Sequence, residues 1–247
     1  MNSLAQFRLD GKRILVTGAS SGIGRAIARA VTVAGGSVIA SGRNADRLAE
    51  TVAQCARPAE HVAVVADLTD DSDASRLAES TGTIDGVVHA AGVKAPVPIR
   101  VVTRKFIEER FNTNYVSTAL LTQRLLAKNR IANGGSILFM SSISAHTGTH
   151  GMAIYSATKA SLIATAKCLA LEVAKRRIRV NCLSPGVVRS PLWDDADPNW
   201  LEEMEKRYPL GLGQPEDVAN ASVFFLADAS RWITGQTLIM DGACPWI

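Results

Sequence analysis

The chain has 247 residues, 47% of them hydrophobic, with a formal charge of +4 and a pI near 9.0. It is long enough to bury a substantial core, and one α/β domain over residues 1–247 is expected rather than two small ones. No apolar run approaches the roughly 18 residues that cross a bilayer, "MNSLAQFRLDGKR" lacks the hydrophobic stretch of a secretory signal, and Cys55, Cys168, Cys182 and Cys244 show no CxxC or Cys/His spacing. Membrane, exported, disulfide-framework and zinc-site readings fall away, leaving the expectation of a soluble cytoplasmic protein.

From the N-terminus, β-branched runs alternate with amphipathic Ala/Leu/Arg-rich stretches: "RILVTG", "SVIASG", "HVAVVAD", "GVVHAAG", "SILFMSS" and "IRVNCLSPG". This alternation predicts βαβ units and a mainly parallel sheet with helices on both faces, a doubly wound Rossmann arrangement. "QTLIMDG", after the helical "PEDVANASVFFLAD", supplies a seventh strand. Along the way, "KRRIR" at 175–179 follows an apolar helix and enters a strand, so it reads as a solvated helix end and not a nucleic-acid patch. His146 and His150 lie close together without a second ligand cluster, so no metal is expected. Residues 190–213, with prolines and Trp193 and Trp200, interrupt the pattern as a lid-like excursion after the sixth strand.

Two stretches carry chemistry. The first strand runs into "TGASSGIG", where Gly18, Gly22 and Gly24 form a turn before a helix. Glycines there let the backbone approach a pyrophosphate, and the helix start offers N–H groups and a positive dipole end. Further on, "YSATK" places Tyr155 and Lys159 one helical turn apart on the same face. A free phenol titrates near 10, but a unit charge ~6 Å away at an effective dielectric of ~20 contributes about 2.8 kcal/mol, enough to bring Tyr155 to about 8.

With "DL" at 67–68, "AAG" at 90–92, "NTNYVS", "SSIS", "SPG" at 184–186 and "ITGQTLIMDG", these pieces resemble the short-chain dehydrogenase/reductase family over essentially the whole length. The resemblance implies Asn114, Ser142, Tyr155 and Lys159 as the catalytic set. Tyr155 would exchange a proton with the substrate oxygen, Ser142 would hydrogen-bond that oxygen, Lys159 would hold the nicotinamide ribose and stabilise tyrosinate, and Asn114 would position a water linking Lys159 to solvent. The cofactor would be held by Gly18, Ser20, Ser21, Gly22, Ile23, Gly24, Arg43, Asp67, Leu68, Ala90, Ala91, Gly92, Pro185, Gly186, Val188 and Ser190, together with Tyr155 and Lys159. NADP(H) is expected over NAD(H), the alternative, because strand two ends in neutral Gly42 followed by Arg43 where NAD-selective relatives commonly carry an acid. Against this, Ala19, Ser20 and Ser21 include no basic residue.

The expected activity interconverts a ketone or aldehyde with an alcohol, 3-oxoacyl-thioester reduction being the alternative and a non-catalytic dinucleotide sensor the rival of another class. Ser144, Met152 and the 187–208 excursion, where Trp193, Leu192 and Trp200 offer apolar surface, should line the substrate pocket. Six acids on the excursion, Asp194, Asp195, Asp197, Glu202, Glu203 and Glu205, disfavour an anionic substrate or acyl-carrier-protein partner entering over it. Two departures from the family pattern stand out: His89 and Ala90 replace its commoner asparagine pair, expected to touch the adenosine side, and Ala243 replaces a glycine. The family also implies a homotetramer built on helices at about 101–130 and 151–175, with Trp246 and Ile247 buried against a neighbour.

Overall fold

Seven strands form one parallel sheet in the order β3-β2-β1-β4-β5-β6-β7: β1 (Arg13–Thr17), β2 (Ser37–Gly42), β3 (Val62–Val65), β4 (Ile84–His89), β5 (Ile131–Met140), β6 (Arg179–Pro185) and β7 (Thr237–Met240). All six pairings are parallel, so "mainly parallel" becomes wholly parallel in this computed structural model, which describes residues 3–193 and 197–244. Asp194 and Asp195 of the acidic set, and Trp246 and Ile247 of the expected subunit contact, lie outside the described residues.

The strands are apolar on both faces because helices cover both. On one side Ile14, Val16, Val38, Val88 and Leu138 meet Ile27 and Val31 of α1 (Gly22–Val33) and Phe225 and Leu226 of α8 (Pro215–Leu226). On the other, Leu15, Ile39, Val87, Ile137 and Phe139 meet α3 (Asp71–Ser80), α5 (Ser117–Ala127) and α6 (Ala153–Glu172) through Leu77, Leu121, Leu125 and Leu162. Asn44 caps α2 (Ala45–Ala53), and Thr103 caps α4 (Arg104–Phe111), each by accepting a first-turn N–H. Arg179 of β6 is buried where its guanidinium donates to the carbonyls of Phe225 (2.5 Å) and Leu226 (3.3 Å), satisfying the end of α8.

The helix expected over 101–130 runs without a break from Arg104 to Ala127 but is not α-helical throughout. Between α4 and α5, residues Asn112–Val116 form a π-helical turn, one of the rare elements that gather at functional sites. The excursion after β6 contains α7 (Pro198–Arg207) and a small core of its own, in which Val187, Met204, Tyr208, Leu212 and Cys244 pack with Trp193, Trp200 and Leu201.

Candidate active site

The sheet order reverses between β1 and β4, and their carboxyl ends open the crevice where doubly wound sheets take ligands. Gly18 follows β1 with φ +67°, and a Cβ there would lie 2.7 Å from the Ala91 nitrogen beyond β4. A Cβ on Gly24 would lie 2.2 Å from the Gly18 carbonyl oxygen, so α1 starts in direct backbone contact with the turn. Ser21 is the N-cap in extended backbone and makes no side-chain cap, which leaves the first-turn N–H groups of α1 for an anion. The donor set and the close approach of Gly18, Ser20, Ser21, Gly22 and Ile23 fit a dinucleotide pyrophosphate.

Around this turn the other expected cofactor residues are gathered. Gly42 ends β2 with its missing Cβ pointing 3.4 Å from Ser20, and Arg43 beside it is exposed, with no hydrogen bond or ion pair among the described residues. Asp67, after β3, accepts from the amide (3.0 Å) and hydroxyl (2.7 Å) of Thr69, while Leu68 packs on the α5 side of the core. Ala90 and Gly92 line the crevice. On its far side Pro185 ends β6 and Gly186, Val188 and Ser190 follow it, and a Cβ on Gly22 would come within 3.2 Å of Ser190.

α6 brings Tyr155 and Lys159 against the ends of β5 and β6. Lys159 is 5% exposed, its Nζ donates to the Met140 carbonyl at 2.9 Å, and it stands 5.8 Å from the Tyr155 ring centre. Burial pushes its ammonium down to about 8. Ser142 begins the turn after β5, and its Oγ accepts the Ser144 amide at 3.2 Å, which directs the hydroxyl proton elsewhere; the hydroxyl is near enough to Tyr155 to favour its ionised form. The predicted lowering of Tyr155 is overturned. Although the ring keeps some surface exposure, the atoms packed around it push the phenol above its ordinary value, and the nearby Ser142 hydroxyl opposes this only in part.

Asn114 sits in the π turn and is 1% exposed. Its Oδ1 accepts the Val93 amide (2.9 Å), and its Nδ2 donates to the Val93 carbonyl (3.0 Å) and to Thr158 (3.2 Å), whose hydroxyl donates to the Tyr155 carbonyl (2.7 Å). Both amide protons are thus spent on tying the segment after β4 to α6. His89 departs from expectation as well: buried against Phe139, it does not face the adenosine side. Thr122 uses its own proton on the Thr118 carbonyl, so His89 donates from Nε2 to Thr122 (2.9 Å) and leaves Nδ1 buried without a partner, and burial pushes the imidazole down to about 3.

Over these residues lies a cavity of about 710 Å³. Ser142, Tyr155 and Lys159 line it together with Ser144, Met152, Trp193, Leu192 and Trp200, so every residue expected to touch substrate is brought to one space. Trp193 and Trp200 stack at 4.9 Å, and the Lys94 ammonium lies 4.0 Å over the Trp193 ring.

A profile described as enoyl-(acyl carrier protein) reductase matches residues 18–243. The chain belongs to the short-chain dehydrogenase/reductase family. It is 36% identical to a 3-oxoacyl-[acyl-carrier-protein] reductase of Rickettsia prowazekii over 236 residues, 95% of this chain and 97% of that one. It is 34% identical to the L-xylulose reductase of Bos taurus over 240 residues, with 95% and 97% covered. Among solved structures, a 7α-hydroxysteroid dehydrogenase complexed with NADH and 7-oxo glycochenodeoxycholic acid superimposes with a TM-score of 0.92 at 31% identity, covering 99% of this chain and 98% of that one. As a short-chain dehydrogenase/reductase the protein is a nicotinamide-dependent oxidoreductase of the carbonyl–alcohol type.

Sequence reasoning missed part of this short-chain dehydrogenase/reductase's wall. Val93, Lys94, His150 and Cys244 also line the cavity, while Arg207 and Tyr208 fall within the 187–208 stretch expected there. Tyr208 is buried and accepts the Val187 amide at 3.0 Å, pinning the segment after β6, and burial pushes its phenol up to about 12.

Proposed function

We propose that the enzyme interconverts a partly hydrophobic ketone or aldehyde with its alcohol, prefers NADP(H) over NAD(H), and uses Asn114, Ser142, Tyr155 and Lys159 for the purpose. The observation that carries this is that Ser142, Tyr155 and a buried Lys159, its ammonium 5.8 Å from the Tyr155 ring centre, line one cavity with apolar walls. When bound, the nicotinamide cofactor supplies or accepts the hydride. Tyr155 stays protonated at neutral pH, so it is a ready acid toward a carbonyl oxygen, and Ser142 donates a second hydrogen bond to the same oxygen as negative charge develops there. When the phenol gives up its proton, the attraction between Lys159 and tyrosine changes from charge–dipole to charge–charge, favouring transfer at the moment it occurs. Asn114 holds α6 in register with the segment after β4.

Arg43 supports the cofactor preference: exposed and unpaired, it can meet a 2′-phosphate with a charge-assisted contact, and Gly42 offers no repulsion. We read residues 190–213 as a substrate lid within one domain, the compartment as cytoplasmic in keeping with four free cysteines, and the assembly as a homotetramer. An exposed stripe on α6, Ala153, Ala157, Ala160, Ala164, Cys168 and Leu171, supports the assembly, as do Ile107, Val116 and Leu120 nearby in chain order on α4 to α5. Reduction of 3-oxoacyl thioesters is the second reading, favoured by the Rickettsia relative.

Two measurements test this. NADPH oxidation with a panel of ketones, sugars, steroids and acyl thioesters should show turnover that falls about 10³-fold in Tyr155→Phe while NADPH binding is kept; wild-type kcat in that folded variant would remove Tyr155 from the mechanism. Dissociation constants should show NADPH bound at least about ten-fold more tightly than NADH, with the preference lost in Arg43→Ala and reversed in Gly42→Asp. Tighter NADH binding by the wild type would refute the preference.

A further inference from the structure

Beside the active-site cavity lies a second compartment of about 590 Å³, lined by Ile99, Arg100, Thr147, Thr149, His150 and Ser156 among others. Thr147, Thr149 and His150 line both spaces, so one loop, the segment that follows Ser142, forms their common wall. Arg100 stands in a 3-10 turn (Ile99–Val101), and neither its guanidinium nor the hydroxyls of Thr149 and Ser156 hydrogen-bond within the chain among the described residues. No carboxylate lines this compartment. The active-site cavity differs: Asp197 and Glu203 accompany Lys94 and Arg207 there, all on or facing the excursion side. The two adjoining spaces therefore differ in charge, one mixed and one purely cationic.

We propose that the Arg100 compartment is a distal subsite for an oxyanion carried by the carbonyl substrate, a proposal that rests on the carbonyl-reducing reading of the adjoining cavity. The charge layout orients such a substrate. Its anionic end lies at Arg100, away from the acids of the excursion, and its reactive carbonyl lies at Ser142 and Tyr155. The acids that disfavour an anion entering over the lid leave this opposite approach unopposed. A guanidinium is suited to the task because it presents a planar fork of donors matched to carboxylate or phosphate. The hydroxyls of Thr149 and Ser156 and the imidazole of His150 supply further polar contacts for the same group.

The test uses a series of methyl-ketone acids, 4-oxopentanoate, 6-oxoheptanoate and 8-oxononanoate, each against its methyl ester, in NADPH oxidation by the full chain. From the chain length that spans the loop onward, the acid should exceed its ester about ten-fold in kcat/KM, chiefly through KM. Arg100→Glu should erase that advantage, Arg100→Lys should keep part of it, and ester turnover should stay within about two-fold in both. Acids no better than esters at every length, or an acid preference untouched by Arg100→Glu, would overturn the subsite. Heptanedioate, which cannot be reduced, gives a readout independent of turnover: calorimetry should show binding to the wild type and loss of at least about ten-fold in Arg100→Glu. If no ketone is reduced but this binding and its loss are seen, the carbonyl-reducing reading fails and the anion site stands. Inorganic phosphate bound equally well, with the same dependence on Arg100, would instead make this a free-anion site and overturn its assignment to the substrate.

Discussion

The turn between β1 and α1 and the segment after β6 border the same crevice, yet they are held in different ways. The first is backbone on backbone: Gly18 approaches Ala91, and Gly24 approaches Gly18 itself, with no side chain between them. The second is held by side chains: Tyr208 pins the Val187 amide, Trp193 stacks on Trp200, and Lys94 covers the Trp193 ring. A surface made of backbone can recognise only what all dinucleotides share. One made of large side chains can be recut for a different substrate without disturbing the fold, as relatives acting on 3-oxoacyl thioesters and on L-xylulose illustrate.

The contrast is broken most severely at Gly24. Gly24→Ala places a methyl 2.2 Å from the Gly18 carbonyl, and the turn has no flexible side chain to give way. Stability should fall by about 3 kcal/mol in denaturant titration, and NADPH affinity by more than ten-fold. A variant that keeps both would show that the turn adapts as readily as the segment after β6.

A smaller effect, of opposite sign, is expected at the buried ammonium. Lys159 titrates at about 8 in the folded chain against 10.5 for an ordinary lysine, so between these values the unfolded chain binds more protons and stability rises with pH. Below about 8 the whole cost of burying the charge is present; its ceiling is about 3 kcal/mol, and the net is about 2 kcal/mol. Lys159→Met should therefore be more stable than wild type at pH 7 by about 2 kcal/mol, with the gap closing as pH rises from 8 toward 10.5, while turnover is lost. Equal stabilities at pH 7 would mean that the ammonium is solvated.

What the sequence discloses follows the same division. The seven strands were legible because both-face burial writes them as β-branched runs, and the Tyr155/Lys159 pair because its spacing is one helical turn. The π turn at Asn114 was not, since one extra residue in a helix leaves no mark on a 3.6-residue period. Nor was the direction of the Tyr155 shift. Charge proximity can be read from spacing, but desolvation depends on how many atoms the fold packs around the phenol. His89 was misplaced for a related reason, because a strand-end residue faces whichever side the pleat gives it, and here that side is α5.

The smallest effect sharpens the comparison from the side of the segment after β6. Trp200 is partly buried, stacked on Trp193, and lines the cavity without reaching the glycine turn. Trp200→Ala removes apolar wall and lets Trp193 relax, so a bulky ketone loses contact area while a small one, held near Ser142 and Tyr155, does not. With about 25 cal/mol for each Å² of apolar surface, loss of some 50–60 Å² of contact corresponds to roughly ten-fold in KM. KM for a bicyclic ketone such as a tetralone should rise by about that factor, against less than about two-fold for butanedione, with NADPH affinity unchanged. If NADPH binding weakened in step, the lid and the cradle would be one cooperative unit; if both ketones suffered equally, Trp200 would be shaping the catalytic residues and not the substrate wall.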